Sequence, residues 1–244
     1  MCFVGCQSNK STDSNIDTIA SDFNETESLA IHEVPQSFTV VENQILFPST
    51  YRNPEINDLE EVLNKGLWFE LYEQDKQYHI AEARYKIKHI EEDPCSGFPA
   101  QQILSDRNAL LYFNIPTIPN GKVDSIAFSK NIVFPGEPLE FMFNEDKYRL
   151  EASGITFFSN NNPDANDGRY ILKLYINNDK EGKILVDQSE YNDSATEILF
   201  MGDLDKDGKV DFIFSSPRDY EEDRVLIILS ESMMIYEGTR QFDC

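Results

Sequence analysis

Residues 203–211, Asp-Leu-Asp-Lys-Asp-Gly-Lys-Val-Asp, set carboxylates at loop positions 1, 3, 5 and 9 and a glycine at position 6. That is the pattern a hard divalent cation needs. Calcium takes about six to eight oxygen ligands at about 2.3–2.6 Å, and a short loop supplies them only when alternate side chains turn inward round a sharp bend. The spacing predicts that Asp203, Asp205 and Asp207 aim their carboxylates at one centre. Lys209 then offers its backbone carbonyl, and Asp211 closes the site directly or through a water. Gly208 permits the left-handed backbone that the bend requires. Three carboxylates within five residues repel one another without a cation. Mg2+ fits less well, because it demands a tighter octahedron. No histidine or other general base stands near the loop in sequence, so the expected Ca2+ is structural and not catalytic.

The flanks are apolar. Ile198-Leu199-Phe200-Met201 precedes the loop and Phe212-Ile213-Phe214 follows it, and both read as strands. A helix–loop–helix calcium site carries a bidentate Glu at position 12. Here that position is Phe214. The run Gly202 to Ile213 instead resembles the strand–loop–strand calcium motif of FG-GAP and VCBS repeats, in which the loop ties β-strands together. The sequence holds no second copy, and one repeat does not build a propeller. Asp164-Ala165-Asn166-Asp167-Gly168 has a different spacing and reads as a hairpin tip.

Other chemistry is sparse. The three histidines are His32, His79 and His89, and neither they nor the cysteines show zinc-ligand spacing. His79 and His89 read as half-buried strand residues. There is no nucleophile elbow, phosphate-binding loop or dinucleotide fingerprint, and no catalytic residue is assigned. The 44 acidic residues could include a glycosidase pair, since such pairs are assembled in space. Trp68, beside Phe69 and Tyr72, could offer a sugar-stacking platform, but core packing is the expectation. A net charge of −23 disfavours nucleic acid and attracts divalent cations.

The first residues include Phe3-Val4-Gly5-Cys6, which resembles the end of a bacterial lipoprotein signal. The resemblance implies lipidation of Cys6, an export signal upstream of Met1, and a membrane contact made only through the lipid anchor. The other reading is an ordinary cytoplasmic start with a polar tail. Residues 1–27 form the truncated signal and a polar tether, expected to be disordered. Residues 28–65 form a transitional segment with a short helix, and 66–244 a β-rich domain. Export favours a disulfide between Cys95, in the turn Asp93-Pro94-Cys95-Ser96-Gly97, and Cys244 at the chain end. Two unrelated free thiols are the alternative.

These side chains need a scaffold. Asn57 or Asp58 caps a short helix through Leu63. From Trp68 onward, strands recur with turn signals every 8–15 residues: Trp68 to Tyr72, a long one from Tyr78 to Ile90, Leu110 to Ile115, Val123 to Ser129 and Leu139 to Asn144. Ala83, Tyr85, Ile87 and His89 share one face of the long strand, and Arg84, Lys86 and Lys88 the other. Asn144-Glu145-Asp146 is a hairpin turn. Tyr170 to Ile176 pairs with Lys183 to Val186, and Arg224 to Ser230 is the last strong strand. This pattern predicts an all-β fold, an antiparallel sandwich or barrel-like domain.

Three segments, Phe134 to Phe141, Tyr148 to Gly154 and Ile198 to Asp211, are similar to a family of uncharacterised exported proteins of Bacteroidetes-type bacteria. That resemblance implies a periplasmic or outer-membrane-anchored lipoprotein and no set activity. The expected function is a calcium-binding β domain with a binding or scaffolding role toward an unidentified protein or glycan. The alternatives are a calcium-stabilised hydrolase acting on glycans, and an inhibitor-type partner of a basic target.

Overall fold

A computed structural model describes residues 39–42, 44–53, 55–56, 58–154, 169–188 and 195–242. In chain order the elements are β1 (Thr39–Glu42), β2 (Ile45–Leu46), β3 (Thr50–Arg52), α1 (Leu59–Asn64), β4 (Phe69–Gln74), β5 (Gln77–Glu82), β6 (Tyr85–Ile90), β7 (Ala100–Ser105) and β8 (Leu111–Phe113). They continue with β9 (Gly121–Lys122), β10 (Asp124–Ser125), β11 (Leu139–Phe143), β12 (Asp146–Gly154), β13 (Tyr170–Ile176), β14 (Lys183–Gln188), β15 (Glu197–Asp203), β16 (Asp211–Ser215), β17 (Glu222–Leu229) and β18 (Met234–Gln241).

The fold is all-β, as the turn spacing predicts, and the described strands form no closed barrel. They make four sheets, ordered β1-β18-β17-β16-β15-β10, β11-β12-β13-β14, β2-β8-β4-β5-β9 and β3-β7-β6. Pairing is antiparallel except where β1 runs parallel to β18. The six-stranded sheet is covered on both faces. Phe212, Phe214, Leu226 and Ile228 pack against Tyr148, Leu150 and Leu172 of the four-stranded sheet. Their neighbours Ile213, Val225 and Ile227 face Leu71, Ile80 and Leu111 of the five-stranded sheet. Two covered faces explain why these strands read as unbroken apolar runs and not as an alternation. The outer face of the five-stranded sheet is covered in turn. There Leu46 and Tyr112 meet Tyr51, Ile103 and the helix residues Leu59 and Leu63. Trp68 belongs to that core, 5% exposed.

Several expectations change in detail. Tyr78 to Ile90 is not one strand. β5 pairs with β4, whereas β6 pairs with β7 in a different sheet, because the chain bends at Ala83–Arg84 and passes from one layer to the next. The strand over Val123 to Ser129 contracts to β10. Helix α1 forms where its cap predicts: the Asp58 carboxylate accepts the Glu61 backbone N–H at 3.1 Å. His89 is exposed, not half-buried, since it lies next to the end of β6, with Glu60 of α1 at 3.7 Å. His79 lies opposite Tyr72 across β4 and β5 and stacks on its ring. Residues 1–38, including Cys6, the hairpin tip at 164–168, and Cys244 lie outside the described residues.

Candidate metal centre

The loop is made by two neighbouring strands of the central sheet. Asp203 is the last residue of β15 and Asp211 the first of β16, and the pair Gly202–Asp211 closes the ladder beneath it. Two residues turn the chain with positive φ: Lys206 at 63° and Gly208 at 85°. Gly202 is fixed by a close approach. A Cβ there would lie 2.3 Å from the Asp124 carbonyl oxygen, because β10 pairs directly alongside β15.

Each aspartate has a distinct place. Asp211 is fully buried. Its Oδ2 accepts the backbone N–H of Leu204 at 2.8 Å and of Asp205 at 3.4 Å, and its Oδ1 accepts that of Ser230 at 3.0 Å. One carboxylate thus binds the start of the loop, its end and the tip of β17. Asp203 Oδ2 accepts the Gly208 N–H at 3.0 Å. Its Oδ1 is buried and has no hydrogen-bond partner. Asp205 Oδ1 accepts the Asp207 N–H at 3.2 Å. Carboxylate oxygens of Asp203, Asp205 and Asp211 all lie within 4.8 Å of one another. Asp207 stands outside this trio, exposed, with Oδ1 accepting the Lys209 N–H at 2.7 Å.

The electrostatics are unfavourable without a cation. Burial pushes the Asp211 carboxyl up to about 8, and the neighbouring charge of Asp205 pushes the same way, against the backbone donors. Burial also raises Asp203 and Asp205 above the usual carboxylate range, with Asp207 adding to both. Yet a proton on Asp211 must share an oxygen that already accepts a backbone N–H. A divalent cation at the centre of the trio would resolve this conflict, since it would favour the ionised form that the hydrogen bonds require. Three carboxylates, one of them with an orphaned oxygen, are a donor set suited to a hard cation.

Other elements brace the loop, and local spacing gave no sign of them. Asn144, in the β11–β12 turn with φ of 51°, donates its Nδ2 to the Gly208 carbonyl at 2.9 Å. The Lys209 ammonium donates to Asp146 Oδ2 at 2.7 Å, and Asp146 also accepts from Asn177 Nδ2 at 2.7 Å. The Lys206 ammonium reaches the Asn120 carbonyl at 3.1 Å. The only signal available was the turn character of Asn144–Asp146, and that indicates a hairpin, not its neighbour.

Cys95 is disulfide-bonded, and Cys2, Cys6 and Cys244 all lie outside the described residues. Its turn is held by Asp93, whose Oδ1 accepts the backbone N–H groups of Cys95 and Ser96 and pairs with Arg52 at 3.4 Å. β3, which carries Arg52, is also touched from the other side: Arg240 near the end of β18 donates to the Thr50 carbonyl at 3.3 Å. No protein-family model matches this chain, and no curated protein or solved structure matches it.

Proposed function

We propose that this chain is an exported β domain stabilised by one structural Ca2+, with a binding or scaffolding role toward a protein or glycan partner. The observation that carries the reading is the trio Asp203, Asp205 and Asp211, with its buried, unpartnered Asp203 oxygen. The side-chain braces from Asn144 and Lys209 support a structural role for the ion, because they tie the four-stranded sheet to a loop of the central one. Thermal melts in EDTA and in millimolar Ca2+ test it: the midpoint rises with calcium, and identical midpoints sink the reading. Asp205→Ala abolishes the rise.

Export rests on the lipoprotein-like Phe3-Val4-Gly5-Cys6. Fatty-acid labelling that requires Cys6 and tolerates loss of Cys2 supports an anchored periplasmic or outer-membrane location; labelling that ignores Cys6 removes it. The Cys95–Cys244 pairing is supported by the chain of contacts from Arg240 through β3 to Asp93, which brings the end of β18 toward the Cys95 turn.

The glycan-hydrolase alternative would need an acid and a base in an open cleft. A cleft of about 720 Å³ lies between α1 and the end of β18, with Glu42, Asp58, Glu61 and Glu237 among its lining. Although burial raises it, Glu237 is held below the usual carboxylate range by the Arg224 fork and by Arg218. A general acid needs the opposite shift. The binding role is therefore the better supported of the two.

A further inference from the structure

With 44 acidic residues against 21 basic ones, a guanidinium without a carboxylate is unexpected. Seven of the eight arginines stand in ion pairs. Arg84 is the exception among the described residues, and it is exposed. It sits at the bend where the chain leaves the five-stranded sheet for the three-stranded one. Both sheets hold that bend: the Ala83 N–H donates to the Trp68 carbonyl at 2.9 Å, and the Arg84 carbonyl accepts the Asp106 N–H at 3.3 Å.

Beside the bend is a cavity of about 300 Å³ lined by Ala81, Glu82, Ala83, Arg84 and Arg107. Arg107 is fixed there twice. Its Nη1 donates to Glu70 Oε1 at 2.7 Å, and its guanidinium lies 4.9 Å over the Tyr72 ring. Glu70 is fully buried, and its Oε2 has no hydrogen-bond partner. Burial pushes the Glu70 carboxyl up, while the charges of Arg107 and Arg84 pull it down. One buried carboxylate thus engages one of the two guanidiniums directly, and the second is left over. Glu82 forms no ion pair with either arginine. Lys86 and Lys88 continue the exposed face of β6 beyond Arg84, with Lys86 3.8 Å from Asp106.

We infer that this cavity is an oxyanion site, taking the carboxylate, sulfate or phosphate group of a small ligand. A guanidinium presents paired N–H donors in a plane that matches such groups bidentately. Arg107 is preorganised by Glu70 and Tyr72, so little of its side-chain freedom is lost when the anion arrives. A cavity of this size is at the small end for ligand sites, which suits one acidic sugar ring or amino acid rather than a polymer. The site lies on different sheets from the calcium loop and does not rest on the calcium reading.

The test is a titration of the 15N-labelled protein in Ca2+, at constant ionic strength, with phosphate, sulfate, acetate and glucuronate in turn. The arginine Nε–H resonances report. At least one anion shifts those of Arg84 and Arg107 to saturation. Arg84→Gln then weakens that binding by about tenfold or more, Arg84→Lys weakens it less, and Lys130→Gln leaves it unchanged. Arg84 is exposed, so the variants keep the wild-type melting midpoint. The anion with the lowest saturating concentration separates a phosphate- or sulfate-bearing ligand from a carboxylate-bearing one. Shifts that stay linear for all four anions overturn the inference, as does Arg84→Gln binding as tightly as wild type.

Discussion

If Ca2+ occupies the trio as proposed above, calcium and protons compete for Asp211, and the competition has a direction that can be measured. A ligand that binds only the folded state at a hundredfold excess over its Kd adds about 2.7 kcal/mol. For a domain of this size each kcal/mol moves the melting midpoint by about 2–4 °C, so saturating Ca2+ near pH 8 raises it by about 5–11 °C. Ligation requires the Asp211 carboxylate, whose proton in the metal-free protein leaves only at about 8. Below that, apparent affinity falls about tenfold, or about 1.4 kcal/mol, for each pH unit. At the same Ca2+ concentration, about pH 6 erases nearly all of the gain. The metal-free arm runs the other way. The folded carboxyl titrates above its unfolded value of about 3.9, so its contribution is full below that value and is lost as pH rises through about 8. The carboxylates held low by partners, Asp93, Glu140, Asp146 and Asp187, titrate below this window and do not mask it. Melts in EDTA and in fixed Ca2+ across about pH 5.5 to 8.5 therefore diverge as pH rises. A calcium shift of equal size at both ends refutes the competition, and no shift at either end refutes the site.

Gly202→Ala drives a methyl to 2.3 Å from the Asp124 carbonyl and 2.7 Å from the Phe200 ring; it costs about 1–3 kcal/mol, read as a lower denaturant midpoint, and an unchanged midpoint contradicts the close approach of β10. Phe214→Ala deletes a fully buried ring stacked 5.5 Å from Phe212, and equilibrium unfolding should register a loss of about 3–5 kcal/mol. Arg107→Ala strands the buried Glu70 carboxylate, at a cost of about 3–5 kcal/mol; adding Glu70→Gln recovers part of that loss, and no recovery means the ion pair is not what the arginine contributes. Non-reducing peptide mapping should recover Cys95 and Cys244 in one fragment, whereas Cys95 joined to Cys2 or Cys6 excludes that pairing.

Sequence reasoning reached what is local. The Asp203–Asp211 spacing marks a loop in which three of the four aspartates converge, because a turn between two paired strands leaves the intervening side chains few directions to take. The Asp58 cap and the Asn144 hairpin were legible for the same reason: their hydrogen bonds close within a few residues. The exposed position of Asp207 was not legible, since alternation alone does not say which carboxylate the backbone of Lys209 will claim. The bend at Ala83–Arg84 was hidden too. Ala81, Ala83, Tyr85 and Ile87 keep a two-residue period through it, although Ile80 of β5 packs in the core against the central sheet and Tyr85 and Ile87 of β6 pack in the other core. Glu70, Arg84 and Arg107 come together only through the pairing of β4 with β5 and β8, a long-range fact with no local periodicity.

The central sheet has a consequence for the order in which the chain acquires structure. Four of its six strands, β15 to β18, come from residues 197–241, after every other described strand. The five-stranded sheet draws on residues 45–122 and the four-stranded sheet on 139–188, and both wait for that late segment before they can bury their inner faces. Even β1, near the start, finds its partner in the final strand. Domains that fold during synthesis do so from the N-terminus as units are completed. The five-stranded sheet can cover its outer face early, with α1 and the three-stranded sheet, but its inner face and that of the four-stranded sheet stay open until residues 197–241 are made. On the exported, calcium-bound reading proposed above, that order would leave the central layer open during passage across a membrane, and calcium on the far side would close the loop on a sheet assembled last.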